Sequence, residues 1–500
     1  MGGDKTKEAT MKYDIVIIGS GLGGLVCGKV LSQLGQHVLV LERGSHVGGC
    51  LQNFSRDGLL RDTGFHYVGG LDEGGGLWRL FKPLGLMDLP WRRLDVDGFD
   101  KVTIGGRTFA FRQGFNEFAE ALSQDFPQER EAIFKFTREL RNIEESQCDM
   151  LDPTKQLDVY ATNVFGTSAY QHLTETFTDP LLVNVLSGPS MKLELCRDTL
   201  PWFTFAHVMS SFVRSSWRLA GGGEQVANKL VADIRSNGGE VLTHCEVVRL
   251  MGEGRQITAA ECKNGMHFEG RTFISDLHPS VTCQLLDNNM LHGMYRQRMT
   301  RLPNTRGMFT LSLTLEPHAL DYCNYNHYVY STSDLWAPQS QDNSVKGIMI
   351  SMPAPTEESD ARQLDILTPM SWEECKAWEN TTVGHRGKAY TYMKLRKALQ
   401  CAELAETVMP GLNKKVEHFS SSTPLTWRDF VNTPQGSAYG VRKNCQQPLL
   451  TVLSSRTPLP NLFLTGQSLV LHGLQGVTMT ALTTCNYILG KETVWEWLNR

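Results

Sequence analysis

The run Asp14-Ile-Val-Ile-Ile-Gly-Ser-Gly-Leu-Gly-Gly-Leu-Val26, followed by Val38-Leu-Val-Leu-Glu-Arg43, decides the fold. Ile15 to Ile18 read as a strand apolar on both faces, as the inner strands of a parallel sheet are. The strand runs into Gly19, Gly21 and Gly24. In that register the first glycine permits a tight turn and the second lets backbone approach a pyrophosphate. The third lets the next helix pack close to the strand. The helix, entered at Leu22, offers free N–H groups and the positive end of its dipole to phosphate oxygens. Glu42, with Arg43 beside it, ends the second strand where a carboxylate can bond ribose hydroxyls. Residues 15–31 are almost long and apolar enough to span a bilayer, but five glycines argue against it.

A second stretch lies near the other end of the chain, Asn461-Leu-Phe-Leu-Thr-Gly-Gln-Ser-Leu-Val-Leu-His-Gly-Leu-Gln-Gly-Val477. A short strand ends at Thr465-Gly466. A loop with Gly473 and Gly476 then leads to a helix predicted over residues 477–489. Together the two stretches resemble the halves of an FAD site in glutathione-reductase-like flavoproteins. That resemblance implies cofactor contacts at Gly466, Gln467, Gly476 and Val477. It also implies a final helix whose dipole faces the flavin pyrimidine end.

Around these stretches the composition is that of an ordinary globular chain. Of 500 residues, 41% are hydrophobic and 20% charged, which allows two or three domains with a large core. A net charge of −4 offers no bulk attraction to nucleic acid, so no nucleic-acid partner is expected. Twelve scattered cysteines without a Cys-x-x-Cys pair point to a reduced, cytoplasmic protein with no disulfide framework and no metal site. No cleavable signal peptide is expected, because residues 1–12 are polar and charged. Met1-Gly-Gly-Asp-Lys-Thr6 fits an acylation pattern, one that glycine-rich starts often fit by chance.

Past the ribose acid, Val47-Gly-Gly-Cys50 resembles a flavoprotein motif in which Gly48 and Gly49 turn over the pyrophosphate. Then comes Asp62-Thr-Gly-Phe-His-Tyr-Val-Gly69. This string, with Thr423-Pro-Leu-Thr426 and Gly436-Ser-Ala-Tyr-Gly440, resembles the retinol saturase and carotenoid isomerase branch of the phytoene-desaturase-like flavoproteins. Gly64 would pass near the flavin in that family. Backbone at Val247 and Val248 would hold the adenine.

Residues 71–100 read as a loop and a short helix. Helical spacing recurs over residues 115–146 and 169–186, with a break at Asp179-Pro180. The aromatic and methionine-rich run from Pro201 to Val213 suits a cap-domain core, a tunnel lining or a membrane face. A helix is predicted over 226–237, capped by Gly238-Gly239, with a hairpin from the runs 241–250 and 257–262. Strands are predicted over 308–315, 325–331 and 346–352, a polar loop over 353–365 and a helix over 388–408.

The fold class expected is α/β. A Rossmann-type FAD-binding domain is built from residues 11–85, 216–295 and 451–500. It is interrupted by a helical cap (86–215) and a mixed-sheet substrate domain (296–450).

The resemblance implies an FAD enzyme acting on C=C bonds of a hydrophobic polyene or isoprenoid. A polyene needs few polar anchors. Burying roughly 400 Å² of it at about 25 cal/mol per Å² is worth about 10 kcal/mol before association costs. Saturation requires hydride from flavin N5 at one carbon and a proton at the other. The candidate proton donors are His66, Tyr67, His472 and Tyr439. Isomerisation without net redox and desaturation are the alternative outcomes. An amine oxidase would share both FAD motifs. A prenyl-binding protein without flavin, of the GDP-dissociation-inhibitor type, is the remote alternative. With a single dinucleotide fingerprint, NAD(P)H is expected at most as a transient electron donor. A lipid-dwelling substrate makes peripheral membrane contact an expectation as well.

Overall fold

The computed structural model describes residues 12–155, 165–338, 343–355 and 360–500. The acylation-like start lies outside them. The chain divides into two compact units. One takes residues 1–52, 224–302 and 453–500, and the other takes residues 53–223 and 303–452.

The first unit is built on a seven-stranded sheet. Lys12–Ile18 lies in its middle, parallel to Val38–Leu41 on one side and to His267–Ser275 on the other. Glu240–Leu242 extends the parallel part beyond Val38–Leu41, and Leu462–Leu464 pairs in parallel with His267–Ser275. Every residue of Val38–Leu41 is buried, as expected for an inner parallel strand covered by helices. The fingerprint helix, Leu22–Gln33, is buried along nearly its whole length. It can be so because Gly28 lets Glu224–Ser236 come close. A Cβ on Gly28 would stand 2.8 Å from Ile234 Cδ1.

The run 241–250 is not one strand of a hairpin. Glu240–Leu242 and Val247–Glu253 stand at opposite edges of the sheet. The turn between them holds His244 at φ +57°, and Cys245 N–H bonds Glu42 O at 2.8 Å. The final helix begins four residues earlier than predicted, at Gly473.

In the second unit another seven-stranded sheet runs in the order 416–422, 307–315, 363–370, 347–351, 326–330, 100–104, 107–111. It is mixed: Asn326–Tyr330 and Asp100–Ile104 are parallel, and the other pairs are antiparallel. Side chains alternate between its faces with period two. Tyr328, Tyr330, Val102 and Ile104 join an aromatic core with helices Phe115–Asp125, Arg130–Glu145 and Trp202–Arg214. Val329, Ile348, Ile350 and Ile366 join the core under the helix Gly387–Glu406.

Three expectations are corrected here. Residues 53–85 pack with the second unit and not with the nucleotide-binding one. The segment 86–215 is not wholly helical, because Trp91–Arg93, Asp100–Ile104 and Arg107–Phe111 are strands. The polar loop ends earlier than predicted, and Gln363–Met370 is an inner strand. The run Pro201 to Val213 becomes Trp202–Arg214, whose Phe205, Ala206, Met209 and Val213 are buried in the core. No helix among the described residues is long and apolar enough to cross a membrane.

Candidate functional site

The first unit brings the glycine turns and Glu42 together. Gly19 turns at φ +97°, and Gly21 is the N-cap of the fingerprint helix with no side-chain cap. An added Cβ on Gly24 would overlap the Gly19 carbonyl oxygen, so the third glycine is what seats the helix on the strand. Gly48 (φ +108°) bridges to Gly21, with its N–H on Ser20 O at 2.9 Å, and Gly49 (φ +56°) follows. Replacing Gly24 by Val should therefore push the helix off the sheet. The expected cost is about 1–3 kcal/mol, and the purified protein should lose its flavin absorbance.

Glu42 is buried and fixed in orientation. Its Oε2 accepts from Ser20 N–H at 3.1 Å and Ser20 Oγ at 2.5 Å, and its Oε1 accepts from Gly44 N–H at 2.7 Å. A carboxylate has about four acceptor sites, so capacity remains for a ribose hydroxyl. Val247 begins the strand whose preceding turn is tied to Glu42, and a register shift leaves Val248 out of the ladder. At the other end of the chain, Gly466 turns at φ +97° and closes on Gly23. His472 is the N-cap of Gly473–Leu489, which carries Gly476 and Val477 in its first turns.

A dinucleotide pyrophosphate needs N–H donors at a helix start, and a ribose needs an oriented carboxylate. The residues present fit both. One acid in this cradle went unnoticed in the sequence. Asp276 lies against Gly21, Gly23 and Gly466.

The other expected donors belong to the second unit, as does Gly64. Tyr67 donates its O–H to Asp100 Oδ2 at 2.8 Å and lies 2.6 Å from the Tyr328 hydroxyl. Lys192 Nζ bonds the same Asp100 oxygen at 2.7 Å and sits 3.8 Å over the Phe212 ring. Asn326 Nδ2 donates to Asp100 Oδ1 at 3.0 Å, and Arg218 in turn holds Asn326 Oδ1 at 2.7 Å. Asp100 is wholly buried, and Lys192 almost so. Burial pushes the Lys192 ammonium below its ordinary range, against the pull of Asp100. Burial, with the Asp100 charge, holds Tyr67 well above the ordinary phenol range, so its proton is present at neutral pH.

His66 is lowered by burial, with Asp365 pulling it back up, and so favours the neutral imidazole. Tyr439 donates its O–H to the Met191 carbonyl. Of the expected donors, Tyr67 and Tyr439 share the aromatic core. Asp100, Lys192 and Tyr328 were not expected. The parallel register of 100–104 with 326–330 is what unites them with Tyr67, and no local motif announces it.

A family model described as "Flavin containing amine oxidoreductase" matches residues 22–489. All-trans-retinol 13,14-reductase of Rattus norvegicus is 24% identical, over 96% of this chain and 86% of that protein. A chloroplastic prolycopene isomerase of an Oncidium hybrid is 22% identical, over 93% and 81%. Among solved structures, an oxidoreductase from Methanosarcina mazei superposes with a TM-score of 0.64 at 18% identity, over 95% of this chain and all of that one. The cofactor of this protein is FAD. A glycine cradle, an oriented carboxylate and a family match over almost its whole length agree: the chain belongs to the flavin-containing amine oxidoreductase family.

Proposed function

We propose that the protein saturates a C=C bond of a retinoid- or carotenoid-like polyene. The all-trans-retinol 13,14-reductases and prolycopene isomerases that resemble it support this substrate class. Tyr67 is the observation that carries the reaction type. It is a phenol that keeps its proton, placed beside a buried lysine–aspartate pair within an aromatic core.

Bound FAD, once reduced, supplies hydride equivalents to one alkene carbon. The chain must supply the proton for the other. Tyr67 holds that proton at its hydroxyl, and Asp100 orients the O–H. Lys192 and Tyr328 both contact this pair, so either can return a proton to the phenolate left behind. The apolar side chains around them, Phe99, Phe205 and Met209 among them, exclude water and offer the surface a polyene binds. Because such a substrate resides in lipid, peripheral contact with a membrane surface is part of the proposal. In the same reading the glycine turns from Gly19 to Gly49, Glu42, and the segment from Gly466 to Val477 hold the FAD.

Anaerobic incubation of the prereduced protein with all-trans-retinol, followed by absorbance and mass analysis of the product, tests this reading. Saturation shortens the conjugated system and adds two hydrogens. A product of unchanged mass means isomerisation, and one two hydrogens lighter, formed when the oxidised protein replaces the prereduced one, means desaturation. Either result replaces the proposal.

A further inference from the structure

One acid lies beside the glycines whose N–H groups open the fingerprint helix. Asp276 leaves the strand His267–Ser275 with its N–H on Ile18 O at 2.9 Å, and a Cβ on Gly21 would overlap its Oδ2. The same carboxylate lies against two more glycines. A Cβ on Gly23 or Gly466 would stand 2.5 or 2.7 Å from Oδ1. Three segments thus close on one acid: the glycine turn, the strand exit and the Thr-Gly-Gln turn. These helix-start N–H groups are the ones a dinucleotide pyrophosphate uses. The pyrophosphate is an anion, and an ionised carboxylate at the same helix end repels it.

We propose that Asp276 is a neutral acid of the cofactor cradle, protonated when FAD is bound and donating its O–H to a pyrophosphate oxygen. This rests on FAD as the cofactor and is independent of the polyene reading. The surroundings of the acid favour its neutral form. Burial raises it to about 7. The Gly24 N–H works against that rise, the Glu42 charge adds to it, and the Gly21 N–H opposes it again. The other titratable groups of this unit that feel Asp276 are the thiols of Cys27 and Cys50. Burial pushes Cys50 up to about 12 and Cys27 well above its ordinary range, so both are uncharged near neutrality. Glu42, on its Ser20 and Gly44 anchors, is the neighbouring carboxylate.

The sign follows from linkage. Binding takes up a proton whenever the free acid is ionised. FAD affinity is therefore greatest below the free acid's titration, and it falls about tenfold per pH unit above it. The pyrophosphate itself keeps a constant charge over this range.

Titration of apoprotein with FAD from pH 6 to 9, followed by flavin fluorescence, tests the proposal. The wild-type Kd should climb above pH 7, and ADP-ribose, which has the pyrophosphate without the flavin, should show the same climb. Asp276→Asn, a neutral donor of the same shape, should bind with a flat profile and at least as tightly as wild type at pH 8.5. A flat wild-type profile, or the wild-type slope persisting in Asp276→Asn, overturns the proposal. So does a folded Asp276→Asn that fails to bind FAD at pH 6, since the carboxylate would then serve only as an acceptor for the glycine turn. Thermal melting of the apoproteins gives a readout independent of binding. Removing a buried acid that resists ionisation should raise Tm more at pH 8 than at pH 5, and an equal change at both would also count against it.

Discussion

Asp100→Ala is expected to destabilise the protein by about 3–5 kcal/mol, because it leaves the Lys192 ammonium buried with its ion-pair partner removed. The carboxylate also receives Tyr67 and Asn326, so one truncation removes an acceptor shared by three donors. Denaturant unfolding of the apoprotein measures the effect. The control is Asp100→Leu with Lys192→Met, which removes both charges and fills the space. Replacing a buried pair by apolar groups is often neutral, so the double variant should be more stable than Asp100→Ala. If the single variant lost less than about 1 kcal/mol, water rather than protein would be solvating Lys192.

Tyr67→Phe should lower turnover by about 10²- to 10⁴-fold, the usual worth of a positioned proton donor, with flavin content unchanged. The phenol ring stays packed on Phe212, 4.7 Å between centroids, so the fold should survive the loss of the hydroxyl. Tyr439→Phe removes a hydrogen bond to a backbone carbonyl and should cost far less activity. Stopped-flow oxidation of the reduced flavin by substrate would separate the two effects, since a defect in proton delivery appears in that step. Full activity in Tyr67→Phe would return the donor's role to His66 or His472.

These two expectations involve residues of unequal legibility. Tyr67 sits in a motif and was singled out from the sequence. Asp100 could not be, because its meaning lies in a parallel pairing with Asn326, 226 residues away. The fingerprint was readable because strand, glycines, helix, second strand and acid follow one another locally. Asp276 was not. Ser275-Asp-Leu-His-Pro279 reads as an ordinary strand exit until the fold lays it against three glycines. Gln363–Met370 was hidden by its own composition. Gln363, Asp365 and Pro369 are poor strand formers, and neighbours on both sides supply the ordering that propensity withholds. The split of 241–250 into two strands was equally invisible, since Thr243 and His244 carry no obvious turn signal.

The closing of the nucleotide-binding sheet by Leu462–Leu464 has a consequence for biogenesis. Ile18 and Leu462 are 444 residues apart, and both must reach His267–Ser275 before the sheet is complete. The last helices also clasp the first: Cys27 Sγ bonds Ala481 O at 3.5 Å, and Trp497 Nε1 bonds Gln33 Oε1 at 3.2 Å. At about 5–20 residues per second, the sheet of a nascent chain stays incomplete for roughly 20–90 s after its first strand is made. Closure of the nucleotide-binding sheet therefore comes only once residues 462–464 are made.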